Sequence, residues 1–175
     1  MENSSITQVA PYSALQIANE FIARGVEDGI KDMTNMKIQK LVYFAHGYCL
    51  ACQDRPLISE NFVAWKHGPV VRRLYDEIKR VRIQNDWGTK RSFNTFLLDE
   101  SDSSPRINSE DSDVIGILNT VWEDCKNCSA SFLSRITHRA NSPWTIIRNR
   151  DGLGAKIPNE DITKYFQYLG EVGKK

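Results

Sequence analysis

The chain has 175 residues, of which 41% are hydrophobic, and this is enough for a single domain with a sizeable core. Its 23 Lys and Arg nearly balance its 22 Asp and Glu, which argues against nucleic acid as the primary partner, because neutralising phosphates requires an excess of basic residues. No segment approaches the roughly 20 apolar residues of a membrane span, and residues 1–11 lack the basic and apolar regions of a secretory signal. We therefore expect a cytoplasmic protein with reduced cysteines and no membrane partner.

The N-terminal part of the sequence predicts a mobile tail and two helices. Residues 1–11 are polar and form the tail, and the domain occupies residues 12–170. Ser13 and Gln16 have the spacing of a capping box, which opens a helix that stops near Gly25. Between Thr34 and Gln53, apolar residues recur at the spacing of a buried helical stripe, which predicts the central helix of the core. The stripe comprises Ile38, Leu41, Val42, Ala45, Tyr48, Cys49 and Cys52, and the flanking Tyr43 and Phe44 indicate that more than one side of the helix is covered.

The segment after the central helix favours a short extended structure. Apolar residues between Ile58 and Trp65 predict short strands or half of a small β-hairpin. Gly68 and Pro69 are expected to turn the chain, with Pro69 at the first position of the next helix. That helix buries Val71, Leu74, Tyr75 and Ile78. Residues 83–107 have no regular pattern and are interpreted as an irregular insertion.

Four further elements are predicted in the C-terminal part. Ser109 is expected to cap a helix, and a short helix covers Ala130 to Thr137. Ser142, Pro143 and Trp144 start another short element, and Asn159 is expected to cap a final helix that ends at Gly170. The predicted fold is therefore mainly α: a compact multi-helix single domain around a central helix, with a minor β component.

The cysteines and histidines are the residues with most chemical potential. The pairs Cys49/Cys52 and Cys125/Cys128 could supply four zinc ligands, but they are too far apart for a common zinc ribbon and fall on helical stripes, so we interpret them as core cysteines. His46 and His138 are interpreted as holding helix ends, with the charged form of His138 favoured by the helix dipole. We predict no catalytic residues, no metal and no cofactor.

Four blocks in a fixed order carry a resemblance to one family. They are KIQKLVYFAHGY at residues 37–48, PL and AWKHGPVV within residues 56–71, LSRITH and SPW within residues 133–144, and the closing I…I..YF pattern at residues 157–166. The chain thereby resembles the Panacea domain, also called the SocA-like or GepA-like antitoxin family.

The resemblance implies an antitoxin of a bacterial or prophage type II toxin–antitoxin system, which neutralises its cognate toxin by direct protein–protein binding. An alternative within the family is a proteolytic adaptor that delivers the toxin to a ClpXP-type protease, with a AAA+ protease as second partner. An enzyme that uses His46 and His138 is the weakest alternative, since no catalytic signature accompanies these residues.

Two sets of residues are candidates for the site. The first set consists of family-motif residues that form either a structural cluster or a ligand pocket: His46, Trp65, Gly68, Pro69, Val70, Tyr75, Thr137, His138, Pro143 and Trp144. The second set lies in and beside the insertion, where exposed aromatic and basic residues have the composition of a partner-binding surface: Arg82, Trp87, Lys90, Arg91 and Phe96.

Overall fold

A computed structural model describes residues 10–84 and 105–173, except for the side chains of residues 82–84. Within these ranges the chain is mainly α with a small antiparallel sheet, and the predicted fold class is confirmed. The helices and strands are α1 (Ala14–Glu27), α2 (Asn35–Gln53), β1 (Phe62–Trp65), β2 (Gly68–Val70), α3 (Arg72–Gln84), α4 (Ser112–Cys125), α5 (Ala130–Thr137), α6 (Pro143–Asp151), β3 (Lys156–Ile157) and α7 (Asn159–Val172).

The central position of α2 is confirmed. Every residue from 37 to 47 is buried, because α1, α3, α4, α5, α7 and β2 all pack against this helix. Tyr43 and Phe44 are buried as well, as expected for a helix covered on more than one side. The predicted stripe is wrong at its end, however: Tyr48 is 39% exposed and Cys52 is exposed. The last turn of α2 is covered on one side only, where Cys49 and Leu50 remain buried.

The three strands form a sheet in the order β2-β1-β3, with both pairs antiparallel. The predicted turn at Gly68 and Pro69 is wrong, since Lys66 and His67 form the turn and Gly68 and Pro69 belong to β2. Ala64, opposite Pro69, exchanges its backbone hydrogen bonds with residues 154 and 155 rather than with β2. The missing N–H of Pro69 therefore costs the sheet no ladder bond, which is why proline is tolerated in this edge strand.

Local capping signals are confirmed in α1 and α6 and wrong in α4 and α7. Ser13 and Gln16 form the capping box, and Ser142 caps α6 with Pro143 in its first turn. Asp111 rather than Ser109 caps α4, and its other carboxylate oxygen accepts a hydrogen bond from the Tyr12 hydroxyl at 2.9 Å. The cap of α7 is Pro158 rather than Asn159. Helices α1 and α7 also run two residues past the predicted ends.

The end of the predicted insertion is fixed to α1. Asn19 and Gln16 donate hydrogen bonds from their side-chain amides to the carbonyls of Pro105, at 3.0 Å, and Arg106, at 2.8 Å. Arg106 also forms an ion pair with Glu20. The predicted start of the insertion is wrong, since residues 83 and 84 continue α3. Residues 85–104 of the insertion and residues 1–9 of the predicted tail lie outside the described residues.

Two helical glycines should respond in opposite ways to alanine. A Cβ added at Gly47 would lie 2.4 Å from the Phe166 ring, because α2 and α7 approach closely there, whereas a Cβ at Gly116 in α4 would meet open space. We expect Gly47→Ala to lower the free energy of unfolding by about 1–3 kcal/mol through overpacking. The matched Gly116→Ala should raise it by about 0.5–1 kcal/mol through helix propensity. Urea unfolding followed by circular dichroism measures both, and equal effects would contradict the close packing of α2 on α7.

Candidate partner-binding site

The N-terminal half of α2 carries three polar side chains that are almost completely buried. Lys37, Gln39 and Lys40 are 0–1% exposed. A buried polar group needs a hydrogen-bond partner, since leaving it unpaired costs about 1–3 kcal/mol. Each of the three donates to a backbone carbonyl outside α2. Lys37 Nζ, for example, donates to the Lys126 carbonyl at the end of α4 and to Asp32, both at 2.7 Å.

Gln39 and Lys40 bind the β1–β2 hairpin, together with two side chains from other helices. Along residues 65–71, every second carbonyl accepts a hydrogen bond from a helical side chain. The four bonds are Trp144 Nε1 to the Trp65 carbonyl at 2.8 Å, Ser134 Oγ to the His67 carbonyl at 2.8 Å, Lys40 Nζ to the Pro69 carbonyl at 3.0 Å, and Gln39 Nε2 to the Val71 carbonyl at 3.3 Å. Gln39 Oε1 also accepts from the Val71 N–H at 2.9 Å. We call residues 62–71 the anchored hairpin.

Gly68 lets the anchored hairpin approach the helices closely. Its φ is +107°, and a Cβ there would lie 2.6 Å from Thr137 Oγ1 and 2.7 Å from Lys40 Cε. Glycine is therefore required by both the backbone conformation and the space available. Thr137 is itself oriented by a 2.7 Å hydrogen bond from its hydroxyl to the Ser134 carbonyl.

Several basic side chains lie where the anchored hairpin contacts α2 and α5. Burial lowers the pKa of Lys40 to about 7. His138 lies 3.8 Å from the Trp144 ring, between centroids, and its Nε2 is buried without a hydrogen-bond partner among the described residues. Burial, together with Lys40, His67 and Arg148, lowers the pKa of His138. The prediction that the helix dipole favours charged His138 is therefore wrong, because desolvation and neighbouring positive groups outweigh the dipole.

His46 belongs to a second, separate contact. Its Nδ1 accepts from the Ile58 N–H at 3.4 Å, and its Nε2 lies 3.0 Å from Asn159 Oδ1, so Nε2 carries the proton. The ring packs on Phe62 at the start of β1, with centroids 5.4 Å apart. His46 thus joins α2 to residue 58 and to α7, and it explains why the Asn159 side chain does not cap its own helix.

The first set of predicted site residues therefore divides between two places. Residues of the hairpin contact residues of the 133–144 segment. His46 lies elsewhere, next to Asn159. Sequence reasoning did not select Gln39, Lys40 and Ser134 as site residues. The signal that could have found Gln39 and Lys40 is the presence of polar residues on every face of a helix otherwise predicted to be buried.

A cavity of about 530 Å³ lies between the anchored hairpin, the start of α2, α3 and the α6–β3 loop. Its wall is largely apolar, and Trp65 and Tyr75 meet edge to face there with ring centroids 4.8 Å apart. Leu153 stands at the edge of this cavity and is 60% exposed. A smaller cavity of about 210 Å³ opens among α2, α4, α5 and α7, next to Phe132. We call the cavity beside the anchored hairpin the hairpin groove.

The thiols do not form a metal site in the described part of the chain. No group of three or more His, Cys, Asp or Glu residues with metal-binding geometry occurs there. Burial raises the pKa of Cys49 to about 11 and that of Cys125 to about 12, which disfavours the thiolate that binds metal or attacks a substrate. The core interpretation holds for Cys49 and is wrong for the exposed Cys52.

The second set of predicted site residues falls outside the described part of the chain. Trp87, Lys90, Arg91 and Phe96 lie outside the described residues, as does the side chain of Arg82. In the described ranges, no helix is both long enough and apolar enough to cross a membrane.

Lys40 should make stability depend on pH. Its folded-state pKa of about 7 lies below its ordinary value of 10.5, so between these pH values the unfolded chain binds more protons and the free energy of unfolding rises with pH. Lys40→Met removes this effect. We expect the stability of the wild type relative to this variant to increase by about 1.4 kcal/mol per pH unit between pH 7.5 and 9, measured by urea unfolding. Lys79→Met, at an exposed site on α3, is the control and should retain the wild-type slope.

Comparison with known proteins places the chain in a family. The family described as antitoxin SocA-like, Panacea domain, matches residues 38–145, a range that contains all four side-chain donors and all four carbonyls of the anchored hairpin. The protein named antitoxin SocA, from Caulobacter vibrioides (strain NA1000 / CB15N), is 32% identical over 143 residues, which cover 78% of this chain and 73% of that protein. No solved structure matches the chain significantly. The chain belongs to the antitoxin SocA-like, Panacea domain family.

Proposed function

We propose that this protein is an antitoxin that neutralises a toxin protein by direct binding, with the hairpin groove as part of the contact surface. The observation that carries the proposal is the position of Leu153. Its side chain is exposed beside the groove, and the backbone that follows it is hydrogen-bonded to the hairpin. The family description and the name of the relative from Caulobacter vibrioides support the antitoxin role, and both favour a binding function over catalysis.

Leu153 is held in place by backbone contacts on its C-terminal side. The Gly154 N–H donates to the Ala64 carbonyl at 2.7 Å, and the Ala64 N–H donates to the Ala155 carbonyl at 2.8 Å. Gly152 and Gly154, with φ of 89° and 88°, allow the chain to turn on both sides of Leu153. A backbone held in this way loses little conformational entropy on binding, and this favours Leu153 as an interface anchor.

The hairpin groove continues the same surface. Its wall includes Met36, Trp65, Val70 and Tyr75, so an apolar side chain from a partner could be buried next to Leu153. Aromatic and methionine side chains are enriched at protein–protein interfaces. The four side-chain hydrogen bonds to the hairpin keep this wall preformed before a partner arrives.

The antitoxin role predicts that co-expression with the product of an adjacent open reading frame restores growth that the neighbour alone abolishes. Leu153→Glu should weaken the complex at least about tenfold, because a carboxylate would be buried in place of an apolar anchor. Growth rescue and affinity, measured by calorimetry on the purified pair, test this. Tyr168→Glu is the matched control, since Tyr168 is 58% exposed on α7 and lies outside the groove wall.

Two outcomes would contradict the proposal at different levels. If the wild-type chain neither binds nor protects against any neighbouring gene product, the antitoxin role is wrong. If it protects and both variants protect equally well, the antitoxin role stands and the contact surface lies elsewhere. A purified toxin that is degraded by ClpXP faster when the chain is present would identify the adaptor mode instead of simple masking.

A further inference from the structure

We propose that the hairpin groove receives an acidic segment of the partner protein, in which one or two large apolar side chains are flanked by carboxylates. The inference rests on the proposed antitoxin function and adds to it the chemistry that the toxin presents. Two features of the groove lead to this occupant: the basic character of its ionisable side chains and its apolar wall.

The ionisable side chains in the wall of the groove are all basic. Lys40, Lys66 and His67 belong to its wall, and no Asp or Glu among the described residues does. None of these three residues forms an ion pair with a described carboxylate. Lys66 and His67 form the exposed turn of the anchored hairpin, so a partner can reach them without displacing other side chains. Carboxylates on the partner would complement this charge and restrict which proteins bind.

Neighbouring groups reinforce the positive potential. Arg148 stacks on the Trp144 ring, with its guanidinium carbon 5.6 Å from the ring centroid, and it forms no described ion pair. Lys40, His67 and Arg148 are close enough to His138 to contribute to its lowered pKa. Basic groups of α2, of the hairpin turn and of α6 therefore lie near one another beside the groove.

The remaining wall fits an apolar side chain. Trp65, Tyr75 and Leu153 offer the apolar contact. A nucleic acid fits less well, because its affinity depends on many phosphate contacts and this wall has only three basic groups among mostly apolar surface.

Capped hexapeptides test the inference on the full-length chain. One probe is Asp-Glu-Leu-Phe-Asp-Glu and its counterpart is Lys-Lys-Leu-Phe-Lys-Lys, which has the same apolar centre and the opposite charge. Amide chemical shifts locate the binding and fluorescence titration gives the affinity. We expect the acidic peptide to bind at least about tenfold more tightly than the basic one, with the largest shifts at Trp65, Lys66, His67 and Leu153.

Charge reversal provides the matched comparison. Lys66→Glu should weaken the acidic peptide at least about tenfold and strengthen the basic one, whereas Lys164→Glu, exposed on α7 outside the groove wall, should change neither. Far-ultraviolet circular dichroism checks that both variants fold.

Equal affinity for the two peptides, absence of shifts at the groove, or binding of a single-stranded RNA oligonucleotide there in preference to the acidic peptide would overturn the inference. These results would leave the antitoxin role to be judged by growth rescue. Failure of rescue together with selective binding of the acidic peptide would refute the antitoxin role and retain the acid-binding groove.

Discussion

A helix that is buried from residue 37 to residue 47 cannot leave its polar side chains without partners, and the rest of the structure depends on this constraint. Lys37 meets it by bonding to a carbonyl at the end of α4, and Gln39 and Lys40 meet it by bonding to carbonyls of the anchored hairpin. Burying an ammonium group is costly, and the lowered pKa of Lys40 records that cost. In return, the hydrogen bonds fix which elements surround α2 and in which register they lie.

The anchored hairpin shows what this constraint achieves. Strands of three and four residues are short, and an isolated two-stranded hairpin is marginally stable at best. Here side chains from α2, α5 and α6 bond to alternate carbonyls of the hairpin, and the Ala64 backbone bonds join the hairpin to the α6–β3 loop. The hairpin therefore behaves as part of the helical core. It can present the groove and Leu153 in one conformation, which lowers the entropic cost of binding.

Sequence patterns predicted the elements whose signals are local. Helical periodicity located α2, and the side chains of Ser13 and Ser142 marked the starts of α1 and α6, because capping involves residues within one turn. The Gly68–Pro69 turn was wrong because these residues satisfy a close tertiary approach rather than a turn. The Asn159 cap was wrong because its side chain serves His46, 113 residues earlier in the chain. The roles of Gln39 and Lys40 likewise depend on carbonyls about 30 residues away, which no local pattern contains.

Native-state hydrogen exchange tests most directly whether the hairpin is held as part of the core. The amides to follow are those of Ala64 and Val71, which donate to the Ala155 carbonyl and to Gln39 Oε1, compared with Val42 and Tyr43 inside α2. If the four side-chain anchors act as described, the hairpin amides exchange only through global unfolding, with the same free energy as the α2 amides. Exchange of Ala64 and Val71 through a local opening several kcal/mol below global unfolding would contradict it.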